Sequence, residues 1–196
     1  HFPTGIVTPL SRRQELLRWA KQPDRWIIED DYDSEFRFAA HPMPTMQSLD
    51  SSKVIYMNTF SKTLAPSIRI SYMVLPKALM ERYRNELSFY SCTVSTFDQY
   101  TLAAFISQGY FEKHINRMRS YYRTQRDCVM SSIKTHPLYH KVKIKEEDSG
   151  LHFLMQADTA LSDEELTANA KKKGVNLSCL SQYYNQPSTA PQHTLI

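Results

Sequence analysis

Three short runs of β-forming, mostly apolar residues constrain the fold more than any other feature of this sequence. They occupy residues 25–29 (RWIIE), 53–60 (KVIYMNTF) and 69–76 (RISYMVLP). Each run is nearly continuous in apolar residues, which is typical of strands buried on both faces of an α/β sheet. A helical pattern at residues 11–20 precedes the first run, so we expect βα-type connections and a mainly parallel sheet.

The sequence after the third run predicts helices and then a small α+β region. The helical patterns cover residues 77–91, 95–108 and 110–135. Two strands then follow, and Ser162-x-x-Glu165 forms a capping box that predicts the start of another helix. A last strand is expected at residues 175–180. These patterns predict two domains, 1–108 and 109–196, with the boundary near Gly109.

Composition excludes several classes of protein. The hydrophobic fraction of 41% and the charged fraction of 22% are ordinary for a globular domain. No apolar stretch has the length of a membrane span. The net charge of +4 is too small to indicate nucleic acid by itself. Cys92, Cys128 and Cys179 lack metal-ligand spacing, so we expect no metal site and a reduced, cytoplasmic setting.

Chemically active side chains cluster where the predicted strands end or begin. Glu29-Asp30-Asp31-Tyr32 ends the first run, Thr59-Phe60-Ser61-Lys62-Thr63 ends the second, and Arg69 opens the third. Ligands of open α/β sheets bind at the carboxyl ends of strands. Pyridoxal phosphate (PLP) requires a lysine for a Schiff base, a carboxylate for its pyridine nitrogen, and an arginine with hydroxyls for its phosphate. Each residue alone is more often surface charge, but the order of all of them favours a PLP site.

Longer segments carry a family resemblance. WIIEDDYDSEFRF, VIYMNTFSKTLAPSIRISYMVLP and GYFEKHINRMRSYYRTQRD resemble the aminotransferase-like domain of MocR (GntR-type) transcriptional regulators. The resemblance extends from residue 1 to at least residue 180. It implies an α/β chain of PLP fold type I: a partial large domain with a mainly parallel sheet, followed by a small α+β C-terminal domain.

The resemblance assigns roles residue by residue. Lys62 would be the lysine that forms the aldimine with PLP. Asp30 would pair with the pyridine nitrogen, although Asp31 is a rival that the sequence leaves open, and Tyr32 would donate to the ring oxygen. The phosphate would be held by three further side chains, Arg69, Ser61 and Thr59.

The resemblance also implies parts that lie outside this chain. Regulators of this family begin with a winged helix-turn-helix domain that contacts DNA, and the first half of their large domain precedes residue 1 here. The presence of only four glycines agrees with a glycine-rich phosphate turn lying upstream. We therefore expect the isolated chain to bind PLP weakly, the whole protein to be a homodimer, and DNA to be bound only through the missing domain.

Three functions compete at this point. The first is an effector-sensing domain of a bacterial transcription regulator that binds PLP at Lys62 and responds to PLP or an amino compound. The second is a catalytic PLP-dependent aminotransferase, so whether the protein is an enzyme stays open. The third is a degenerate fragment that serves only dimerisation.

Overall fold

The computed structural model describes residues 2–36, 43–147, 151–186 and 189–196. The chain divides into two compact units. As far as their ranges are described, the first unit comprises Thr8–Glu35 and Ala40–Arg119, and the second comprises His1–Val7, Phe36–Ala39 and Ser120–Ile196. The domain boundary expected near Gly109 stays a prediction.

The first unit contains a three-stranded sheet formed by the three apolar runs. Its strands are β1 (Ile27–Asp30), β2 (Val54–Thr59) and β3 (Ser71–Val74), in the order β1-β2-β3. The predicted parallel pairing holds for β1 and β2, whereas β3 runs antiparallel to β2. Only residues 60–70 separate β2 from β3, which is shorter than the crossover that a parallel strand needs. The sheet is therefore mixed.

Helices account for most of the remaining first unit. They are α1 (Leu10–Ala20), α2 (Met46–Leu49), α3 (Phe60–Thr63), α4 (Lys77–Leu87), α5 (Thr96–Ser107) and the beginning of α6 (Tyr110–Thr135). Ser95 caps α5 because its hydroxyl accepts a hydrogen bond from the Asp98 amide at 3.1 Å. The long predicted helix has the bounds expected from its sequence pattern.

The apolar core of the first unit lies between α1 and one face of the sheet. Leu17 and Ala20 of α1 pack with Ile27 of β1 and Val54 of β2. The described residues leave the opposite face of β1 and β2 largely uncovered, since Ile28 is 65% exposed. The expectation that these strands are buried on both faces is therefore met on one face of β1 and β2, and on neither face of β3, whose four residues are all exposed.

The second unit contains an antiparallel sheet of β4 (Val142–Lys145), β5 (Leu154–Ala157) and β6 (Thr194–Leu195). The predicted capping box is present, since Ser162 and Glu165 bond reciprocally at the start of α7 (Asp163–Lys172). The prediction of a strand at residues 175–180 is wrong. Within this segment only Cys179 forms a β-bridge, which pairs it with Leu195. The edge of β5 is instead occupied by β6, which pairs Met155 with Leu195.

Among the described residues, no helix combines the length and the apolar character needed to cross a membrane.

Candidate functional site

Consecutive carboxylates at the end of β1 alternate in burial. Glu29 is buried, Asp30 is exposed and Asp31 is buried again. Successive side chains of a strand point to opposite faces, so this alternation divides the predicted carboxylate cluster between the two faces of the sheet. The three carboxylates therefore have different surroundings and can be assigned different roles.

Glu29 belongs to a buried ion pair with Arg13 of α1. The Arg13 Nη1 atom lies 3.1 Å from Glu29 Oε1, and both side chains are almost fully buried. Glu29 also accepts hydrogen bonds from the amides of Met46 (2.9 Å) and Gln47 (3.0 Å). Arg13 donates further to the carbonyls of Thr8 and Pro44. Because every charged group here has partners, Glu29 is a structural residue that ties α1, β1 and α2 together.

Asp31 faces the helix-packed side of the sheet and is only 4% exposed. Its Oδ2 atom accepts hydrogen bonds from the Ser34 hydroxyl at 2.7 Å and the Tyr56 hydroxyl at 3.2 Å. Asp30, in contrast, pairs in register with Met57 on β2, and both residues are exposed on the open face. The half-buried Tyr32 follows in the turn after β1.

Lys62 lies in α3, the one-turn helix that directly follows β2. Thr59 caps this helix, because its hydroxyl accepts a hydrogen bond from the Ser61 amide at 3.2 Å. The same hydroxyl donates to the Ile70 carbonyl, which ties the start of α3 to the segment before β3. Lys62 itself is exposed. Lys62 thus lies in a capped helical turn, and the Thr59 hydroxyl links the start of this turn to the backbone of both Ser61 and Ile70.

Arg69 lies beside the hydroxyl groups of the same turn. Its Nη1 atom donates to the Ser61 hydroxyl at 3.2 Å, and that hydroxyl donates to the Ile68 carbonyl. The structure thus brings Thr59, Ser61 and Arg69 into one hydrogen-bonded group. Thr59 shares the open face with Asp30, since Asp30 pairs with Met57 and Met57 lies two residues before Thr59.

A polar network behind the site was not recognised in the sequence. The Asn58 amide donates to the Tyr56 hydroxyl at 3.0 Å and to Glu35 Oε1 at 3.2 Å. Tyr56 in turn donates to Asp31, so the network connects β2 with the turn that carries Tyr32. The available signal was Tyr56 and Asn58 alternating inside an apolar run, since polar groups in a buried strand require partners.

Burial changes the titration of this network. It raises the pKa of the Tyr56 hydroxyl well above its ordinary value and also raises the pKa of Tyr72, its neighbour on β3. Burial likewise raises the pKa of the Glu35 carboxyl, and the nearby Asp31 charge adds to that effect. The Oε2 atom of Glu35 is buried and has no hydrogen-bond partner within the described residues. Burial therefore favours the neutral forms of Tyr56, Tyr72 and Glu35.

An open cleft of about 610 Å³ borders this region of the first unit. Arg69 lines the cleft together with Ser67 of the same loop and with Ser95, Asp98 and Phe105 at and within α5. Arg69 therefore contacts Ser61 through its guanidinium group and also lines a space large enough for a small molecule.

Comparison with known proteins places the whole chain in one family. The model of the aminotransferase class I and II family matches residues 1–190. The HTH-type transcriptional regulator YdeL of Bacillus subtilis is 44% identical over 96% of this chain and 41% of its own length. The probable rhizopine catabolism regulatory protein MocR of Rhizobium meliloti is 40% identical over 95% of this chain and 38% of its own length. The chain thus spans about two fifths of the length of these relatives.

Solved structures agree with this fold. A kynurenine aminotransferase of Pyrococcus horikoshii, crystallised with PMP, superimposes with a TM-score of 0.80 at 28% identity. The match covers 98% of this chain and 47% of the aminotransferase. A multiple substrate aminotransferase of Thermococcus profundus has a TM-score of 0.81 at 26% identity, covering 98% of this chain and 47% of the enzyme.

These matches confirm the predicted fold type I architecture and the resemblance to the aminotransferase-like domain of MocR-type regulators. The chain belongs to the aminotransferase class I and II family.

Proposed function

We propose that this chain is the PLP-binding, effector-sensing domain of a bacterial MocR-type transcription regulator. Two relatives at 44% and 45% identity are HTH-type transcriptional regulators, and one at 40% is a probable rhizopine catabolism regulatory protein. Another, at 26%, is an HTH-type pyridoxine biosynthesis transcriptional regulator of Corynebacterium glutamicum. The observation that carries the proposal is the group formed by Thr59, Ser61 and Arg69 beside Lys62.

The donor set of this group fits the phosphate of PLP. Arginine binds phosphate oxygens through two parallel hydrogen bonds. The hydroxyls of Thr59 and Ser61 donate to the Ile70 and Ile68 carbonyls in this structure, and each would turn its single hydrogen to the phosphate when it binds. Arg69 and Ser61 are already within hydrogen-bond distance of each other, so part of the arrangement that a phosphate needs exists before it binds. We assign the phosphate to Arg69, Ser61 and Thr59.

Lys62 is the proposed point of covalent attachment, through its Nζ atom. PLP, when bound, supplies an electron sink for bonds to the amino carbon of a ligand. Asp30 would hold the proton on the pyridine nitrogen, and Tyr32 would donate to the ring oxygen. Asp30 is favoured over Asp31 because it is exposed on the face that it shares with Thr59, whereas Asp31 already accepts two hydrogen bonds.

The regulatory part of the proposal follows from linkage. An amino compound that reacts at the PLP site can change DNA binding only if its affinity differs between two conformations of the whole protein. DNA contact would come from a winged helix-turn-helix domain elsewhere in the whole protein, and the protein would act as a homodimer. Turnover is not required for this function.

The attachment is tested by reduction with borohydride. The full-length protein is incubated with PLP, reduced and digested, and the modified peptide is identified by mass spectrometry. We expect the adduct on Lys62 and its loss in Lys62→Ala. Lys77→Ala, at the exposed start of α4, is the control and should keep it. An undiminished adduct in Lys62→Ala would refute the assignment.

A catalytic aminotransferase is the second candidate, supported by the similarity to the kynurenine aminotransferase. In that case Lys62 would also move a proton of the bound amino compound. Steady turnover with an amino donor and a keto acid would favour the enzyme. A single half-reaction that alters operator binding would favour the regulator.

A further inference from the structure

We propose that His114 of α6 is a positioning residue for Lys62. The inference rests on the proposed attachment of PLP to Lys62, and it concerns how this chain holds the lysine in place. His114 is half-buried, and its Nε2 atom lies 3.0 Å from the carbonyl oxygen of Thr63, the residue after Lys62.

The two hydrogen-bonding neighbours of His114 define which tautomer of its neutral ring fits the site. The Arg117 Nη2 atom lies 3.4 Å from His114 Nδ1, and a guanidinium group can only donate. Nδ1 therefore accepts, and in the neutral ring the proton is on Nε2. That proton points to the Thr63 carbonyl, so Arg117 selects the tautomer that bonds α3.

The helix α3 needs such an external partner. It has only four residues, and the last carbonyls of a helix have no partner within it. Thr63 is 2% exposed, so water has little access to its carbonyl group. An unpaired carbonyl there would cost free energy, and the His114 donor removes that cost.

A second contact orients α3 against α6. The ring of Phe60, at the start of α3, packs edge-on against Phe111 of α6 with 5.8 Å between centroids. Phe60 and Thr63 are three residues apart, as are Phe111 and His114, so one turn of each helix meets one turn of the other. The two contacts fix both the position and the rotation of α3. They thereby fix the direction in which the Lys62 side chain projects from the helix.

The test uses the full-length protein and three variants. His114→Phe keeps a ring but removes the donor, and His114→Gln restores an N–H of similar reach. His140→Phe is the matched control, because His140 Nδ1 also lies 2.9 Å from a carbonyl oxygen, that of Pro137, within the second unit.

The first measurement is made without PLP. The Leu64 amide closes the turn of α3 on the Phe60 carbonyl at 2.9 Å, so its hydrogen exchange reports opening of that turn. We expect exchange about fivefold faster in His114→Phe, the equivalent of one lost hydrogen bond. Exchange should stay near the wild-type rate in His114→Gln and His140→Phe.

The second measurement is made with PLP. We expect PLP to bind about fivefold more weakly to His114→Phe, with recovery in His114→Gln. The midpoint pH of the absorbance change of the bound cofactor should also shift in His114→Phe and return in His114→Gln. A contribution to stability alone would not move this midpoint.

The outcomes separate this inference from the proposed function. A wild-type protein without an adduct on Lys62 overturns the proposed function and the cofactor role of His114 with it. A normal adduct together with unchanged PLP affinity and Leu64 exchange in His114→Phe overturns only the inference. Should His114→Phe fail to fold, His114→Asn, which is too short to reach Thr63, is judged by the same criteria.

Discussion

The two faces of the first sheet contain similar residues in very different environments. The face packed on α1 buries Glu29 and Asp31, each with several hydrogen-bond partners. The open face exposes Ile28, Asp30 and Met57. A carboxylate on the first face is held by its own chain, whereas a carboxylate on the second is free to meet a ligand or another segment of protein. Burial with partners thus marks Glu29 and Asp31 as structural acids, and it leaves Asp30 as the acid that we propose to meet a ligand.

The largest expected effect comes from breaking the buried pair on the helix-packed face. Arg13→Leu should lower the free energy of unfolding by about 3–5 kcal/mol, because Glu29 would remain buried and charged without its cation. The measurement is urea unfolding followed by tryptophan fluorescence, since Trp19 and Trp26 both lie in the first unit.

The adjacent residue on α1 provides the control for that change. Arg12 pairs with Glu15 at 2.7 Å, but the two side chains are 63% and 50% exposed. Arg12→Leu should therefore cost less than about 1 kcal/mol. Equal losses for Arg12→Leu and Arg13→Leu would contradict the structural role of the Arg13–Glu29 pair.

A smaller effect on stability is expected from replacing each of the neighbouring aspartates by alanine. Asp31→Ala should lower stability by about 1–3 kcal/mol, because Ser34 and Tyr56 lose their acceptor in a buried place. Asp30→Ala should leave stability nearly unchanged and weaken PLP binding. Unfolding and PLP titration of both variants in the full-length protein check whether Asp31 is structural and Asp30 binds the cofactor. The reverse pattern would assign the pyridine nitrogen to Asp31.

The smallest effect is a pH dependence of the network behind the site. Burial raises the pKa of Glu35 above its ordinary value, so the folded protein binds a proton there more tightly than the unfolded chain does. The stability linked to this group is present below the unfolded pKa and is lost as pH rises through the raised folded pKa. Glu35→Gln should therefore raise the thermal midpoint at pH 8 more than at pH 4.

The control for this prediction is Glu15→Gln on α1, whose carboxyl is half exposed. The difference between pH 8 and pH 4 should be larger for Glu35→Gln than for Glu15→Gln. The opposite order would contradict the raised pKa of the Glu35 carboxyl.

Local sequence patterns predicted those helices and strands whose formation depends on residues close together in the sequence. The apolar runs became β1, β2 and β3, and the capping box opened α7. The strand expected at residues 175–180 failed because pairing with β5 depends on which distant segment occupies its edge, and residues 194 and 195 do so. A β-forming segment carries no information about that competition.

The sequence by itself determined the fold type and the family, and it supplied the set of side chains that we propose for PLP, because motif, spacing and strand order are properties of the chain. Only the tertiary structure separated Glu29, Asp30 and Asp31, which are consecutive in sequence but differ in burial and partners. It also revealed His114 beside Thr63, 51 residues away along the chain. Desolvation and hydrogen bonding decide what a charged group does, and both depend on neighbours that come together only when the chain folds.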